Sequence, residues 1–147
     1  AIEGQLLPLY GDGRQCRDWL AVEDHCAGIE HVFLHGEAGL VYNIGGGNER
    51  ENLTVAELIL DCLGKPKSLL RFVSDRPGHD RRYAVDCSRL WQLGWKPVVP
   101  FAEGLRQTVR WYQEHEAWWR PIKSGEFKRY YEEQYRRRLA EGTACGS

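Results

Sequence analysis

Apolar positions along the chain fall into short blocks separated by glycine and proline, and their spacing predicts the elements. Leu6 to Tyr10 is a compact apolar run that stops at Gly11-Asp12-Gly13, which predicts a strand, a tight turn and a return strand over Gln15 to Leu20. Val22, Cys26, Ile29 and Phe33 recur at helical spacing and predict a helix to about His35, with Gly36 at the C-cap. Leu40 to Ile44 is a nearly continuous apolar run, the pattern of a strand buried on both faces, and it ends at Gly45-Gly46-Gly47. Thr54-Val55-Ala56-Glu57 has the form of a capping box and predicts a helix through Leu63, with Gly64 and Pro66 beyond it. Leu69 to Val73 is strand-like and leads into the loop Asp75-Arg76-Pro77-Gly78-His79-Asp80; a short strand over Tyr83 to Val85 and a short helix from Ser88 to Leu93, closed by Gly94, follow. Behind Pro100, the residues Phe101, Leu105, Val109 and Tyr112 mark an amphipathic helix, and a last helix is predicted from about Ser124 to Leu139.

The fold class this implies is mixed α/β, with short strands and helices and no internal repeat. The Val41–Ile44 strand has few sequence-local partners to cover its two faces, so it is expected to belong to a larger sheet elsewhere. A length of 147 residues is one domain's worth of protein, and 42% apolar with 28% charged residues argues against wholesale disorder. No apolar run approaches the roughly 18 residues of a membrane span, and Ala1-Ile2-Glu3-Gly4-Gln5 lacks the pattern of a signal peptide. The absence of methionine fits a piece of a longer polypeptide, or a processed chain, better than a complete gene product.

Charge narrows the partners. A net charge of −1 lacks the basic excess of a duplex-binding domain, so no nucleic acid is expected. Arg136-Arg137-Arg138, flanked by Glu132, Glu133 and Glu141, reads as a solvated helical face. The five cysteines are odd in number, contain no C-x-x-C pair and fit no disulfide framework, which points to a reducing cytoplasm.

Candidate chemistry lies in two charged loops. Arg17 follows a glycine turn, and Arg76 opens a Pro-Gly loop that also holds His79, Arg81 and Arg82. Two arginines on separate loops suit a diphosphate, because each guanidinium offers paired N–H donors. The structural alternative pairs them with Asp18 and Asp80. Tyr10 could stack on a flat base or be a half-buried strand residue, and Asn52 could reach phosphate or sugar oxygens or close a local turn. Gly45-Gly46-Gly47-Asn48 fails the dinucleotide pattern, since G-x-G-x-x-G needs glycine where Arg50 stands. His31 and His35 share a helix face but have no third ligand nearby in sequence, so surface histidines explain them better than a metal site. Trp111, Trp118, Trp119, Tyr130, Tyr131 and Tyr135 crowd the last third, as in a packed or interfacial helix pair. No nucleophile with its base stands out.

Several motifs in order resemble a known family. Leu7-Pro8-Leu9-Tyr10-Gly11-Asp12-Gly13, Arg17-Asp18-Trp19-Leu20, Val22-Glu23-Asp24-His25 and Tyr42-Asn43-Ile44-Gly45-Gly46 resemble extended short-chain dehydrogenases acting on nucleotide sugars. Asn48-Glu49-Arg50 and Asn52 continue the pattern. Asp75-Arg76-Pro77-Gly78-His79-Asp80-Arg81-Arg82-Tyr83-Ala84, Leu93-Gly94-Trp95-Lys96-Pro97 and the tail from Lys123-Ser124-Gly125 to Tyr135 are similar to the dTDP-glucose 4,6-dehydratase branch.

The resemblance implies the carboxy-terminal, substrate-binding portion of an extended NAD(P)-binding Rossmann-type enzyme. On that reading residues 1–147 bind the nucleotide sugar, residues 36–47 include a strand of the missing Rossmann sheet, and 140–147 are a tail. Pro8 and Tyr10 would flank the thymine, while Arg17, Asn52 and Arg76 would serve the diphosphate or ribose. His79 would lie close by and Tyr135 would reach in from the tail. NAD would be bound by the missing amino-terminal domain, and the family is commonly dimeric. Its reaction oxidises the sugar at C4, eliminates water across C5–C6 and returns the hydride to C6, using a Tyr-x-x-x-Lys pair. No Tyr-x-x-x-Lys occurs in this chain, so the chain alone is expected to be inactive. A related nucleotide-sugar epimerase or decarboxylase, and a non-catalytic binding module, remain the alternatives.

Overall fold

A computed structural model describes residues 1–123 and 125–136. It contains the strands β1 (Leu7–Tyr10), β2 (Cys16–Asp18), β3 (Glu49–Glu51) and β4 (Leu70–Val73). The helices are α1 (Val22–His35), α2 (Asn52–Cys62), α3 (Ser88–Gln92), α4 (Phe101–Glu114), α5 (Glu116–Lys123) and α6 (Glu126–Tyr131). One turn of 3-10 helix, Lys67–Leu69, precedes β4, and a π-helical turn, Glu132–Arg136, follows α6.

The strands do not pair as the glycine turn suggests. β1 and β4 lie parallel, with Leu7 opposite Leu70 and Tyr10 opposite Val73, while β2 runs antiparallel to β3. The segment after Gly11-Asp12-Gly13 is therefore no hairpin return onto β1. The turn itself is present, with Gly11 and Gly13 at φ 57° and 71°. Its second half hands the chain to α2 instead, because Leu53 N–H donates to the Gly13 carbonyl and Asn52 N–H to that of Gln15. These backbone bonds satisfy first-turn donors of α2, so the helix begins at Asn52, before the Thr54 capping box, and has no side-chain cap. Its other end follows expectation: Gly64, at φ 61°, lets Lys65 N–H reach the Leu60 carbonyl and Gly64 N–H that of Asp61. Gly94 ends α3 in the same way.

The buried side chains Leu9, Val55, Leu60, Val73, Leu90, Trp95, Val109 and Trp119 form the core, joining β1 and β4 to α2, α3, α4 and α5. α1 meets this core through its polar face. Asp24 is buried, and its carboxylate accepts the N–H groups of Val98 and Val99 at 3.1 and 2.9 Å. Gly28 lets Trp95 and Ile44 close in, since a Cβ there would lie 3.2 and 3.0 Å from their atoms. The predicted apolar stripe of α1 consequently faces outward: Val22, Ile29 and Phe33 are 66%, 52% and 86% exposed. α1 ends at Gly36 as expected, but Gly36 is extended at φ −71°, not left-handed.

Residues 40–44 form no ladder among the described residues, and Leu40 and Val41 are exposed. Two further expectations are corrected. The region of Tyr83 to Val85 is not a strand, although Arg82 bridges Cys16. The last third holds an additional helix, α5, behind a break at His115; Pro121 inside it disguises it in the sequence. The end of the last predicted helix, Arg137, Arg138, Cys145 and the 140–147 tail lie outside the described residues, while Arg136 is exposed and pairs with Glu132. No described helix is long and apolar enough to cross a membrane.

Candidate functional site

Parallel pairing of β1 with β4 places the carboxyl ends of both strands side by side. Tyr10 is the last residue of β1, and the loop carrying Asp75, Arg76 and His79 leaves the matching end of β4. Loops at the carboxyl ends of parallel strands are where α/β folds build ligand crevices. β2 brings Arg17 to the same place, because Cys16 N–H donates to the Arg81 carbonyl and Tyr83 N–H donates to that of Cys16.

His79 is the hub. Its side chain is only 5% exposed, yet both ring nitrogens have partners: Nδ1 lies 2.6 Å from Asp75 Oδ1 and Nε2 lies 3.2 Å from Arg17 Nη2. Its ring meets Tyr10 edge-on at 5.6 Å between centroids. The Arg76 guanidinium sits over the Tyr10 ring at 5.8 Å, a cation–π approach. From the opposite end of the chain, Tyr135 places its hydroxyl 3.2 Å from that of Tyr10. Tyr131 supports this tail by packing against Tyr135 and donating to the Leu6 carbonyl.

Arg17 is held without being neutralised. It donates to the carbonyls of Cys16 and Asp80 at 2.6 and 3.1 Å and stacks over Tyr83 at 4.5 Å. Together with His79 these partners occupy three of the five guanidinium N–H groups. Tyr83 is itself anchored by donating its hydroxyl to the Asp80 carboxylate, which raises the phenol's pKa. The open side of Arg17 faces a cleft of about 490 Å³, lined also by Trp19, His25, Ile44 and Val85.

Charge pairing separates the four arginines of this region. Arg81 forms a bidentate pair with Asp12, and Arg82 forms one with Glu49. Neither Arg17 nor Arg76 makes an ion pair among the described residues. The expected structural partners are otherwise engaged: Asp80 takes Tyr83, and Asp18 accepts the N–H groups of Gly46, Gly47 and Asn48. Two uncompensated guanidinium groups beside an aromatic ring are suited to an anion attached to a flat ring.

The site thus joins Tyr10, Arg17, Arg76, His79 and Tyr135 directly. Pro8 shares β1 with Tyr10 but lines a different cavity, with Leu6, Lys128 and Tyr131. Asn52 opens α2 just after β3, the neighbour of β2, and its backbone N–H is bound to Gln15. Sequence reasoning misses Asp75, Gln15 and Tyr83. Only the four-residue spacing of Asp75 and His79 signals that contact in the sequence.

The glycine run does not fit a dinucleotide phosphate, because its N–H groups already converge on Asp18 and a Cβ at Gly45 would lie 2.5 Å from that carboxylate. Among the described residues no cluster of three metal-ligating side chains exists; His31 instead meets the Leu93 carbonyl and packs at a tilt against His35.

Fold and site together define an α/β protein of the extended Rossmann-type, short-chain dehydrogenase architecture. The sequence model of the family described as GDP-mannose 4,6 dehydratase matches residues 1–108, and the chain belongs to that family. Within it, a dTDP-glucose 4,6-dehydratase from Streptomyces niveus is 50% identical over 124 residues, covering 84% of this chain and 37% of that protein. The dTDP-glucose 4,6-dehydratase of Salmonella typhimurium is 46% identical over 143 residues, 92% of this chain and 40% of that one. DesIV, a dTDP-glucose 4,6-dehydratase from Streptomyces venezuelae solved with NAD and TYD bound, is 48% identical with a TM-score of 0.80, over 83% of this chain and 38% of that chain. A UDP-glucose 4-epimerase from Thermotoga maritima, solved with UDP-glucose, shares the architecture at lower similarity: 27% identity and a TM-score of 0.71, over 77% and 36%. The chain spans about two fifths of the length of the curated relatives it matches.

Proposed function

We propose that this chain supplies the nucleotide-sugar contacts of a dTDP-glucose 4,6-dehydratase, an NAD-dependent lyase that converts dTDP-glucose to dTDP-4-keto-6-deoxyglucose. One observation carries the reading: Arg17 and Arg76, from distant stretches of chain, flank Tyr10 and His79 without carboxylate partners among the described residues, while their neighbours Arg81 and Arg82 are paired. Tyr10 and Pro8 serve the thymine, Arg17, Arg76 and Asn52 the diphosphate or ribose, and His79 and Tyr135 close the site. Greater similarity to dTDP-glucose dehydratases than to the UDP-glucose epimerase favours the dehydratase over its cousins.

NAD and the residues of hydride transfer belong, on this reading, to the remaining length of the relatives. The outward stripe of α1 and the unladdered residues 40–44 support it, since a strand and a helix face left bare are what a continuing sheet covers. The parent is then a homodimer of two such complete chains.

Titration calorimetry of the intact gene product with dTDP tests the assignment. Arg17→Ala and Arg76→Ala are each expected to weaken dTDP about 10- to 100-fold, the range of one or two charge-assisted hydrogen bonds. Arg81→Ala, which removes an arginine already paired to Asp12, is expected to leave affinity within about threefold. Equal losses in all three, or none in the first two, would defeat the assignment.

A further inference from the structure

We propose that Asp75 is a positioning residue: it holds His79 in the Nδ1–H tautomer and, through His79, fixes the guanidinium of Arg17. The inference rests on the nucleotide-binding reading of this site and deepens it by naming what keeps the anion-binding group in place.

The hydrogen-bond inventory allows one arrangement. A carboxylate only accepts and a guanidinium only donates. Asp75 stands 2.6 Å from Nδ1 of His79, and Arg17 stands 3.2 Å from Nε2. The imidazole must therefore donate from Nδ1 and accept at Nε2. A proton on Nε2 would set N–H against N–H across the contact with Arg17. Water offers little escape, because the imidazole is 5% exposed and the Tyr10 ring closes another side.

Asp75 is in turn aligned from behind. Its Oδ1 accepts the backbone N–H of Arg76 at 2.9 Å, and its Oδ2 accepts from Gln15 Nε2 at 3.0 Å. Gln15 is buried to 2% exposure, and its Oε1 has no partner among the described residues. Turning the amide over would put that oxygen against the carboxylate, so the orphaned acceptor is explained by the demand for a donor facing Asp75. Gly11 leaves room for the carboxylate, since a Cβ there would lie 3.0 Å from Oδ2. The chain of contacts therefore runs from a buried amide through Asp75 and His79 to Arg17. The charged and titratable groups facing the imidazole are Asp75, Arg17 and Tyr10, with Arg76 over the Tyr10 ring.

The test combines a spectroscopic readout with affinity. In the intact gene product with ¹⁵N-labelled histidine, long-range ¹H–¹⁵N correlation reports which ring nitrogen of His79 carries the proton, and a His79→Gln variant assigns the signal. Ligand-free protein is expected to show a protonated Nδ1 and an unprotonated Nε2. Asp75→Ala removes the acceptor facing Nδ1; it is expected to abolish the preference for Nδ1–H and raise the Kd for dTDP about tenfold. The proposal is overturned by Nε2–H in the unsubstituted protein, or by an Asp75→Ala protein that keeps either the tautomer or the affinity. The tautomer of the unsubstituted protein decides alone if that variant does not fold. Failure of the unsubstituted protein to bind dTDP would instead defeat the nucleotide reading, and the ligand-free spectrum would still judge Asp75.

Discussion

Asp18 decides whether Arg17 is available, which makes Asp18→Ala the most informative single change. Adjacent in sequence, the two could form an ion pair, but the Asp18 carboxylate turns to the glycine run. Its Oδ2 accepts Gly46 N–H at 2.8 Å and Gly47 N–H at 3.2 Å, and its Oδ1 accepts Asn48 N–H at 2.7 Å. Gly45 and Gly46 permit this approach, because a Cβ at either would lie 2.5 Å from Asp18 Oδ2 or the Trp19 carbonyl. Removing the carboxylate leaves the partly buried donors of Gly46 and Asn48 without partners, at about 1–3 kcal/mol each, while water can serve the exposed Gly47. A total of about 2–6 kcal/mol corresponds to a fall of roughly 30- to 25,000-fold in amide protection. Hydrogen exchange of Gly46 and Asn48 in the intact gene product reads this directly. Because the loop feeds β3, which holds β2 and hence Arg17, dTDP affinity should fall as well. Protection changing by less than about threefold, or dTDP binding that strengthens as though Arg17 had been released from an ion pair, would refute the reasoning.

Gly64→Ala should lose about 1 kcal/mol in denaturant unfolding, since φ is 61° and no neighbouring atom lies within 4 Å of the added Cβ, so the penalty is conformational alone. Asp12, whose carboxyl is held down to about 2 first by Arg81 and then by the Arg14 N–H, should titrate nearer its ordinary value in Arg81→Ala when followed by carboxyl ¹³C shifts. Because the folded value is depressed, the pair's contribution is present above about pH 4 and disappears as the pH falls towards 2. The 147-residue chain by itself should bind a hydrophobic dye or self-associate through α1, and Ile29→Glu with Phe33→Glu should abolish this in dye titration and gel filtration.

Much of the secondary structure is legible in the sequence because its signals are local. The helical spacing from Val22 to Phe33, Pro100 before Phe101, and the glycines at 64 and 94 each act within one or two turns of the element they bound. Partnership is not local. The run Leu7–Tyr10 announces a strand, but its mate lies sixty-three residues further on in parallel register, and a glycine turn beside it points to the wrong neighbour. Direction is equally hidden for α1. Its apolar residues read as a core face, yet Asp24 and Gly28 make the contacts, because two backbone N–H groups and the flat Trp95 ring need a carboxylate and a missing side chain.

The candidate site divides along the same line. Tyr10, Arg17, Arg76 and His79 can be named from residue type and motif, since each offers ring surface or anion donors whatever surrounds it. Whether an arginine is free to use its charge depends on which carboxylates the fold delivers, and spacing misleads here. Asp18 and Asp80, nearest in sequence to Arg17 and within the Arg76 loop, go to backbone amides and to Tyr83. Asp12 and Glu49, far away in sequence, reach Arg81 and Arg82. On the proposed function, anion affinity at this site is therefore set by the pairing of β1 with β4 and of β2 with β3. A change that shifts either register should abolish it even with every arginine retained.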